Sequence, residues 1–409
     1  MPPPQIDDAP DLFALSRAAI ESANADLIDL RRNLHAHPEL SREEHETTRL
    51  IAERLAALGF EVHVRPEGNG LFADLVPPGF DPATHRTVAV RADIDALAIP
   101  EQTGLPFTST RPGVMHACGH DVHTACAIGV ATALASLGAR LPGRLRLFFQ
   151  HCEELAPGGA EDLVAMGCME GVDAVLGLHV DPELEVGRIG LKVGPLTAAS
   201  DAWELVIHGR SGHGARPHHA VDPVFITTLI AQELYRAPAH HFDVRDPVVI
   251  SIGTIHGGHM VNVIPASVTI AGTVRTLSRA HRERVEPLFR RIAYGICSTH
   301  GASYALRIDL GPPSIINDAG VVGVVEQSAR AVVGPANLHW IPMPSMGAED
   351  FSEYLQHAPG MMFRLGVNDG GETHFLHSPR FSPDERAIAI GARVLAESAL
   401  RLMVSAPTA

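Results

Sequence analysis

Short apolar runs, rich in β-branched and aromatic residues, recur along this chain, and each closes on polar or charged residues. They are TVAVRADID at 87 to 95, RLRLFFQHCEE at 144 to 154, DAVLGLHV at 173 to 180 and MMFRLGV at 361 to 367. Runs of this length, apolar on both faces, predict buried strands. Between them lie Ala-rich stretches, 121 to 137 ending at Gly138 and 159 to 166 ending at Gly167. The alternation predicts an α/β sheet with parallel strands and crossover helices. Two helices precede it, one over about 11 to 36 and one over 41 to 58. In the second, Ser41 and Glu44 stand at capping-box spacing and Gly59 marks the stop.

The pattern changes between about 195 and 310. WELVIH, a helix at 222 to 236, VVISIGTIH, SVTIAGTVRT, a helix at 279 to 298 and SYALRIDL follow in β-α-β-β-α-β order, the ferredoxin-like arrangement. A chain of 409 residues exceeds what one core usually supports. The expected organisation is therefore a discontinuous domain, 1 to 194 and 311 to 409, interrupted by an inserted α+β domain at 195 to 310.

Composition narrows the function. Lys plus Arg number 32 against 47 Asp plus Glu, a formal charge of -15, which argues against nucleic acid or an anionic membrane surface as partner. No apolar run reaches the length of a membrane span, and MPPPQIDDAPDLF lacks the basic-then-apolar order of a signal peptide, so a cytoplasmic location is expected. The five cysteines are odd in number and form no C-x-x-C pair, which fits free thiols in a reducing compartment.

The chemistry concentrates in HACGHD at 116 to 121 and in Glu153 and Glu154. In open α/β sheets, sites form beyond the carboxyl ends of the strands, where Asp93, Glu153, Glu154 and His179 all fall. Cys118, His120, Glu154, His179 and His377 make a plausible two-metal set. Cys118 is the best bridging candidate, because a thiolate can serve two cations and suits zinc or a similar late divalent ion. Each residue alone has a plainer reading: His179 as a core histidine, Cys118 as a small hydrophobe, the glutamates as helix caps. Their shared placement at strand ends favours a site. A Cys118 nucleophile with His120 or His123 as base is the alternative. Asp93 or Asp95 can orient a ligand imidazole, and Asp121 competes for that role or caps the helix that follows.

RADIDALAIPEQTGLPF, MHACGHDVHTA, the EE pair with GGA after it, GLHV, GHGARPH, GTIHGGHMVNVIPASVTIAGTVRT, GAEDF and LHSPRFSPDE, in this order, resemble the metallopeptidase family of N-acyl-amino-acid amidohydrolases. Hippurate hydrolase and the plant auxin-conjugate hydrolases belong to that family, and the likeness spans roughly residues 30 to 395. It implies a metal-dependent exopeptidase-like catalytic domain, with a mixed sheet flanked by helices, and an inserted ferredoxin-like lid through which a homodimer or dimer-based oligomer forms. It implies two divalent ions (zinc, manganese, cobalt or nickel), with Cys118 bridging, His120 and Glu154 completing one ion and His179 and His377 the other. Glu153 is then the general acid/base for a metal-activated water that cuts the amide of a small-molecule substrate. On the lid, His213 stabilises the oxyanion in the partner's site, and Asn262 and Arg275 hold the substrate carboxylate. Dipeptidases, carboxypeptidases and carbamoyl-amino-acid hydrolases use the same metal pair. The chain departs from the family at His151 and Cys152, where Pro-Ala is common, and at Val122, where Gly is usual. The first two are expected to bring an extra imidazole and thiol near the metals.

Overall fold

A computed structural model describes residues 9 to 405; the opening MPPPQIDD, read above for targeting, lies outside them. The chain forms two compact units. One comprises residues up to Leu196, Ile316–Met343 and the chain from Asp350 onward; the other comprises Thr197–Ile315 with Pro344–Glu349.

The first unit opens with α1 (Ala9–Ala36), α2 (His45–Ala57), β1 (Glu61–Val64), β2 (Leu71–Leu75), β3 (Thr87–Asp93), α3 (His120–Ala135), β4 (Arg144–Gln150), α4 (Ala160–Ala165), β5 (Ala174–Glu185), β6 (Ile189–Leu191) and β7 (Gly194–Pro195). The second unit supplies β8 (Ala199–His208), β9 (Gly212–His213), α5 (Pro223–His241), β10 (Val248–His256), β11 (Val263–Ile264), β12 (Ser267–Thr276), α6 (Arg279–Thr299) and β13 (Ser303–Asp309). The chain then returns with β14 (Ile316–Asn317), α7 (Ala319–Val333), β15 (Leu338–Trp340), β16 (Gly360–Asn368) and α8 (Arg386–Val404).

The large sheet has the order β1-β2-β4-β3-β5-β16-β6-β15. Its centre, β4-β3-β5-β16, is parallel. The flanks are not: β1 and β2 form an antiparallel hairpin, and β2 runs antiparallel to β4, as β6 does to β16. The sheet is therefore mixed: the long apolar runs pair in parallel at its centre, and the short strands β6 and β15 pair in parallel at one edge. Every residue of β3 is buried, its Arg91 and Asp93 included. α3 is buried almost all round between α1 and α8, which is why its sequence is Ala-rich without a polar face.

The capping box expected at Ser41 and Glu44 does not form. α2 begins at His45, and Glu44 makes no side-chain cap. Glu39 accepts the Thr47 N–H at 2.8 Å and the Glu46 N–H at 3.3 Å instead. Ser41 and Glu44 turn toward the site described below.

In the second unit, a four-stranded antiparallel sheet of order β10-β12-β8-β13 packs against α5 and α6. Trp203, Leu205 and Ile207, alternating on β8, meet Ile226, Ile230 and Leu234 of α5 and Val285, Leu288 and Phe289 of α6. Asp222 and Ser278 cap the two helices. Within the first unit, β7 and β14 pair antiparallel, so the points where the chain leaves and re-enters that unit lie side by side. Among the described residues, no helix is long and apolar enough to cross a membrane.

Candidate metal centre

Gly119 precedes α3 with φ +84, and a Cβ there would lie 2.5 Å from Val180 Cγ2. Only a glycine lets the Cys118–His120 loop approach β5 this closely. His179 lies on β5 just beyond the stretch paired with β3. On the opposite side, the loop after β16 delivers His377, whose backbone N–H donates to Ala117 O at 2.9 Å.

Two sets of three donors result, each with its atoms within 4.8 Å of one another: Cys118, His120 and His179, and Cys118, Glu154 and His377. Cys118 belongs to both. Its Sγ stands 3.5 Å from His179 Nε2, and His377 Nε2 stands 3.2 Å from Glu154 Oε1. These two groups place His179 and His377 apart, whereas the resemblance joined them; His120 also lies near Glu154, its expected companion, with Nε2 4.0 Å from Oε1. Glu153 groups with His120 and Glu154.

Hydrogen bonds on the far side of the rings aim the donors. His179 Nδ1 is 2.8 Å from Val180 O, which makes it the protonated nitrogen and leaves the Nε2 lone pair toward Cys118. His120 Nδ1 contacts both Asp95 O at 2.9 Å and Asp95 Oδ1 at 3.1 Å. His120 Nε2 and Glu154 Oε1 are buried and make no well-formed hydrogen bond; their nearest polar neighbours are Asp93 Oδ2 at 3.4 Å and His377 Nε2 at 3.2 Å. Unpartnered buried acceptors are costly, and a cation satisfies both at once. Imidazoles held through Nδ1 with Nε2 free are the usual state of metal-binding histidine. The residues therefore fit a pair of divalent ions.

Charge supports the same reading. Burial pushes the Cys118 thiol up to about 12, a value that a nearby cation reverses. Burial also opposes charge on His120, yet Asp93 and Cys118 outweigh it and carry the ring well above its ordinary value. A bound cation would take the place of the proton that these neighbours hold on His120.

The expected supporting carboxylates divide. Asp93 contacts His123 Nδ1 at 2.6 Å, Arg91 Nη1 at 2.7 Å and His120 Nε2 at 3.4 Å. The Val180 N–H donates to His123 Nε2, so His123 carries its proton on Nδ1, toward Asp93. Asp121, by contrast, turns away from the donors. Its Oδ2 meets Arg31 Nε at 2.8 Å and His35 Nδ1 at 2.9 Å, because a carboxylate on that face of α3 looks toward α1. Asp95 orients His120 instead.

His151 and Cys152 do not add donors to the metals; neither belongs to a possible metal-holding group among the described residues. His151 is fully buried, with Nε2 3.1 Å from Asp162 Oδ2 and its ring against Gly70 and Gly159.

His213, Asn262 and Arg275 belong to the second unit. The first two share a place: β9 pairs with β11, and the Gly214 N–H donates to Asn262 O at 2.8 Å. Both are exposed, and Arg275 is half-buried on β12. No hydrogen bond or ion pair engages the Asn262 or Arg275 side chain among the described residues.

A thiolate-and-imidazole donor set with an adjacent carboxylate, at the carboxyl end of an α/β sheet, defines a metal-dependent hydrolase. Residues 89–401 match the model of peptidase family M20/M25/M40, and the chain belongs to that family. It is 40% identical over 380 residues to the N-acetyl-L-cysteine deacetylase of Bacillus subtilis, covering 93% of this chain and 88% of that protein. It is 38% identical over 370 residues to thermostable carboxypeptidase 1 of Saccharolobus solfataricus, covering 90% of this chain and 92% of that one. Among solved structures, Bacillus subtilis YXEP, a dinuclear metal-binding peptidase of the M20 family, superposes with a TM-score of 0.81 at 35% identity, covering 94% of this chain and 99% of that one.

Proposed function

We propose that this enzyme hydrolyses the amide bond of N-acyl amino acids or related conjugates, releasing a carboxylic acid and an amino acid. The observation that carries this is the pair of three-donor groups sharing Cys118, with Glu153 beside one of them. Two divalent ions, of the zinc, manganese, cobalt or nickel kind, supply the Lewis acidity and lower the pKa of water. Cys118, His120 and His179 would hold one ion, and Cys118, Glu154 and His377 the other. Glu153 takes a proton from the attacking water and passes it to the departing amine.

The second unit serves as lid and dimer interface. Support comes from the exposed apolar side chains Val249 and Ile255 on its edge strand β10, which a second copy can cover. His213 stabilises the oxyanion there, while Asn262 and Arg275 bind the substrate carboxylate; their exposure and unengaged side chains suit both tasks. The five cysteines are all free, in keeping with a reducing, cytoplasmic setting.

The test is a panel of N-acyl amino acids, dipeptides and carbamoyl amino acids with metal-loaded enzyme. Fastest turnover of N-acyl amino acids is expected; a preference for dipeptides favours the carboxypeptidase reading. Glu153→Gln is expected to lose about 10²–10⁴ in kcat while metal stays bound. Retained turnover in that variant removes Glu153 from the mechanism.

A further inference from the structure

The segment that carries Glu153 leaves the sheet through a strained turn. β4 ends at Gln150, and Cys152 then adopts φ +52, in the left-handed region that a residue with a Cβ avoids. Two buried carboxylates hold the backbone N–H groups of the residues on either side of Glu153. The Cys152 N–H donates to Glu44 Oε1 at 2.8 Å, and the Glu154 N–H donates to Asp95 Oδ2 at 3.0 Å. The Asp95 end of this clamp is tied to the site itself, since Oδ1 of the same carboxylate meets His120 and its Oδ2 also accepts from Ser41 Oγ at 2.7 Å.

The Glu44 end has no such explanation. Glu44 is fully buried, it caps no helix, and no cation pairs with it among the described residues. Its second oxygen accepts from Asn69 Nδ2 at 3.2 Å. Burial pushes its carboxyl up to about 7, so its charge is costly to the fold. A polar group kept in the interior against that cost, and aimed at one peptide of the turn before Glu153, has a task at that turn.

We propose that Glu44 is a positioning residue for amide hydrolysis: it holds the Cys152 peptide in its left-handed turn and thereby aims Glu153 beside Glu154 and His120. The inference rests on the reading of Glu153 as acid/base. Glu44 touches neither substrate nor metal; it acts through the backbone. Loss of the Cys152 bond lets the turn relax, and a displacement of the base by about 1 Å costs up to about 10²-fold in rate.

The experiment uses the full chain loaded with metal and the N-acyl amino acid that turns over fastest in the panel, with kcat expressed per metal-loaded chain. Glu44→Ala is expected to lower kcat about 10- to 100-fold, with KM and metal content nearly unchanged. Glu44→Gln, whose amide oxygen still accepts from the Cys152 N–H, restores most of the loss. Cys152→Gly in the Glu44→Ala background restores part of it, because glycine takes the left-handed turn without help. If Glu44→Ala fails to fold, Cys152→Val and Cys152→Gly decide, since a β-branched residue resists that turn: Val is expected to be at least about tenfold slower than Gly. Wild-type kcat in Glu44→Ala, a loss that neither Gln nor Gly relieves, or equal rates for Val and Gly each overturn the proposal. If those results appear while Glu153→Gln is inactive, only the role of Glu44 falls; if Glu153→Gln is active, the functional reading falls with it.

Discussion

The metal donors of the first unit and the His213–Asn262 loops of the second are built in opposite ways. Cys118, His120 and His179 are buried, and hydrogen bonds on the far side of the two imidazoles aim them. His213 and Asn262 stand in solvent on short paired strands joined through backbone atoms. A divalent cation demands desolvated donors fixed in advance, because every misplaced ligand is lost affinity. A group that recognises a substrate in solution must instead be reachable by it. On the proposed function, chemistry falls to the buried region and recognition to the exposed one.

Metal removal is the hardest blow to this contrast. Exhaustive chelation is expected to abolish turnover, and zinc, manganese or cobalt to restore it; activity that survives with no metal by elemental analysis revives the Cys118 nucleophile. Next comes the division of the carboxylates. Asp95→Asn is expected to weaken metal binding about 10- to 100-fold in competition with a chelator. Asp121→Asn, which removes the shorter ion pair of buried Arg31 and leaves Glu385 at 3.4 Å, is expected instead to cost about 1–3 kcal/mol of folding stability in denaturant titrations. Equal metal affinity in the two variants erases the distinction drawn here.

On the recognition side, Arg275→Ala is expected to raise KM about tenfold or more while leaving metal content untouched, as befits a lost charge-assisted contact of about 1.5–3 kcal/mol. A change in metal content instead of KM removes Arg275 from substrate binding. The smallest effect concerns His151. Burial and the nearby Arg65 push its ring down to about 4. The unfolded chain then binds the extra proton between about pH 6.5 and 4, so stability is full above that window and falls as pH drops through it, by at most about 3 kcal/mol. Thermal melts of metal-free protein are expected to show this slope in the wild type and a shallower one in His151→Gln.

Much of this was legible in the sequence, for a definable reason. The spacing in HACGHD and the apolar runs are short-range signals, and they placed Cys118, His120 and the central strands. The hairpin β1–β2 was not legible, because its strands are short and β1 is half-exposed, without a clear period. Nor could sequence tell Asp95 from Asp121, since both lie near His120 in the chain and only packing decides which carboxylate faces the ring. Ser41 and Glu44 show the opposite failure. Their spacing matches a local capping motif, whereas Ser41 Oγ bonds Asp95 and the Glu44 carboxylate bonds Cys152.

β16, one of the last strands in the chain, fills a gap between β5 and β6 rather than an edge of the sheet. During synthesis, β5 therefore waits for its neighbour while the whole of the second unit is made. Closing so long a loop is slow to happen and leaves an apolar strand uncovered in the meantime. His377 emerges later still, so a half-made chain holds four of its five donors and a partly open core. The same late stretch of chain thus closes the sheet through β16 and brings the last candidate donor, His377, to the others.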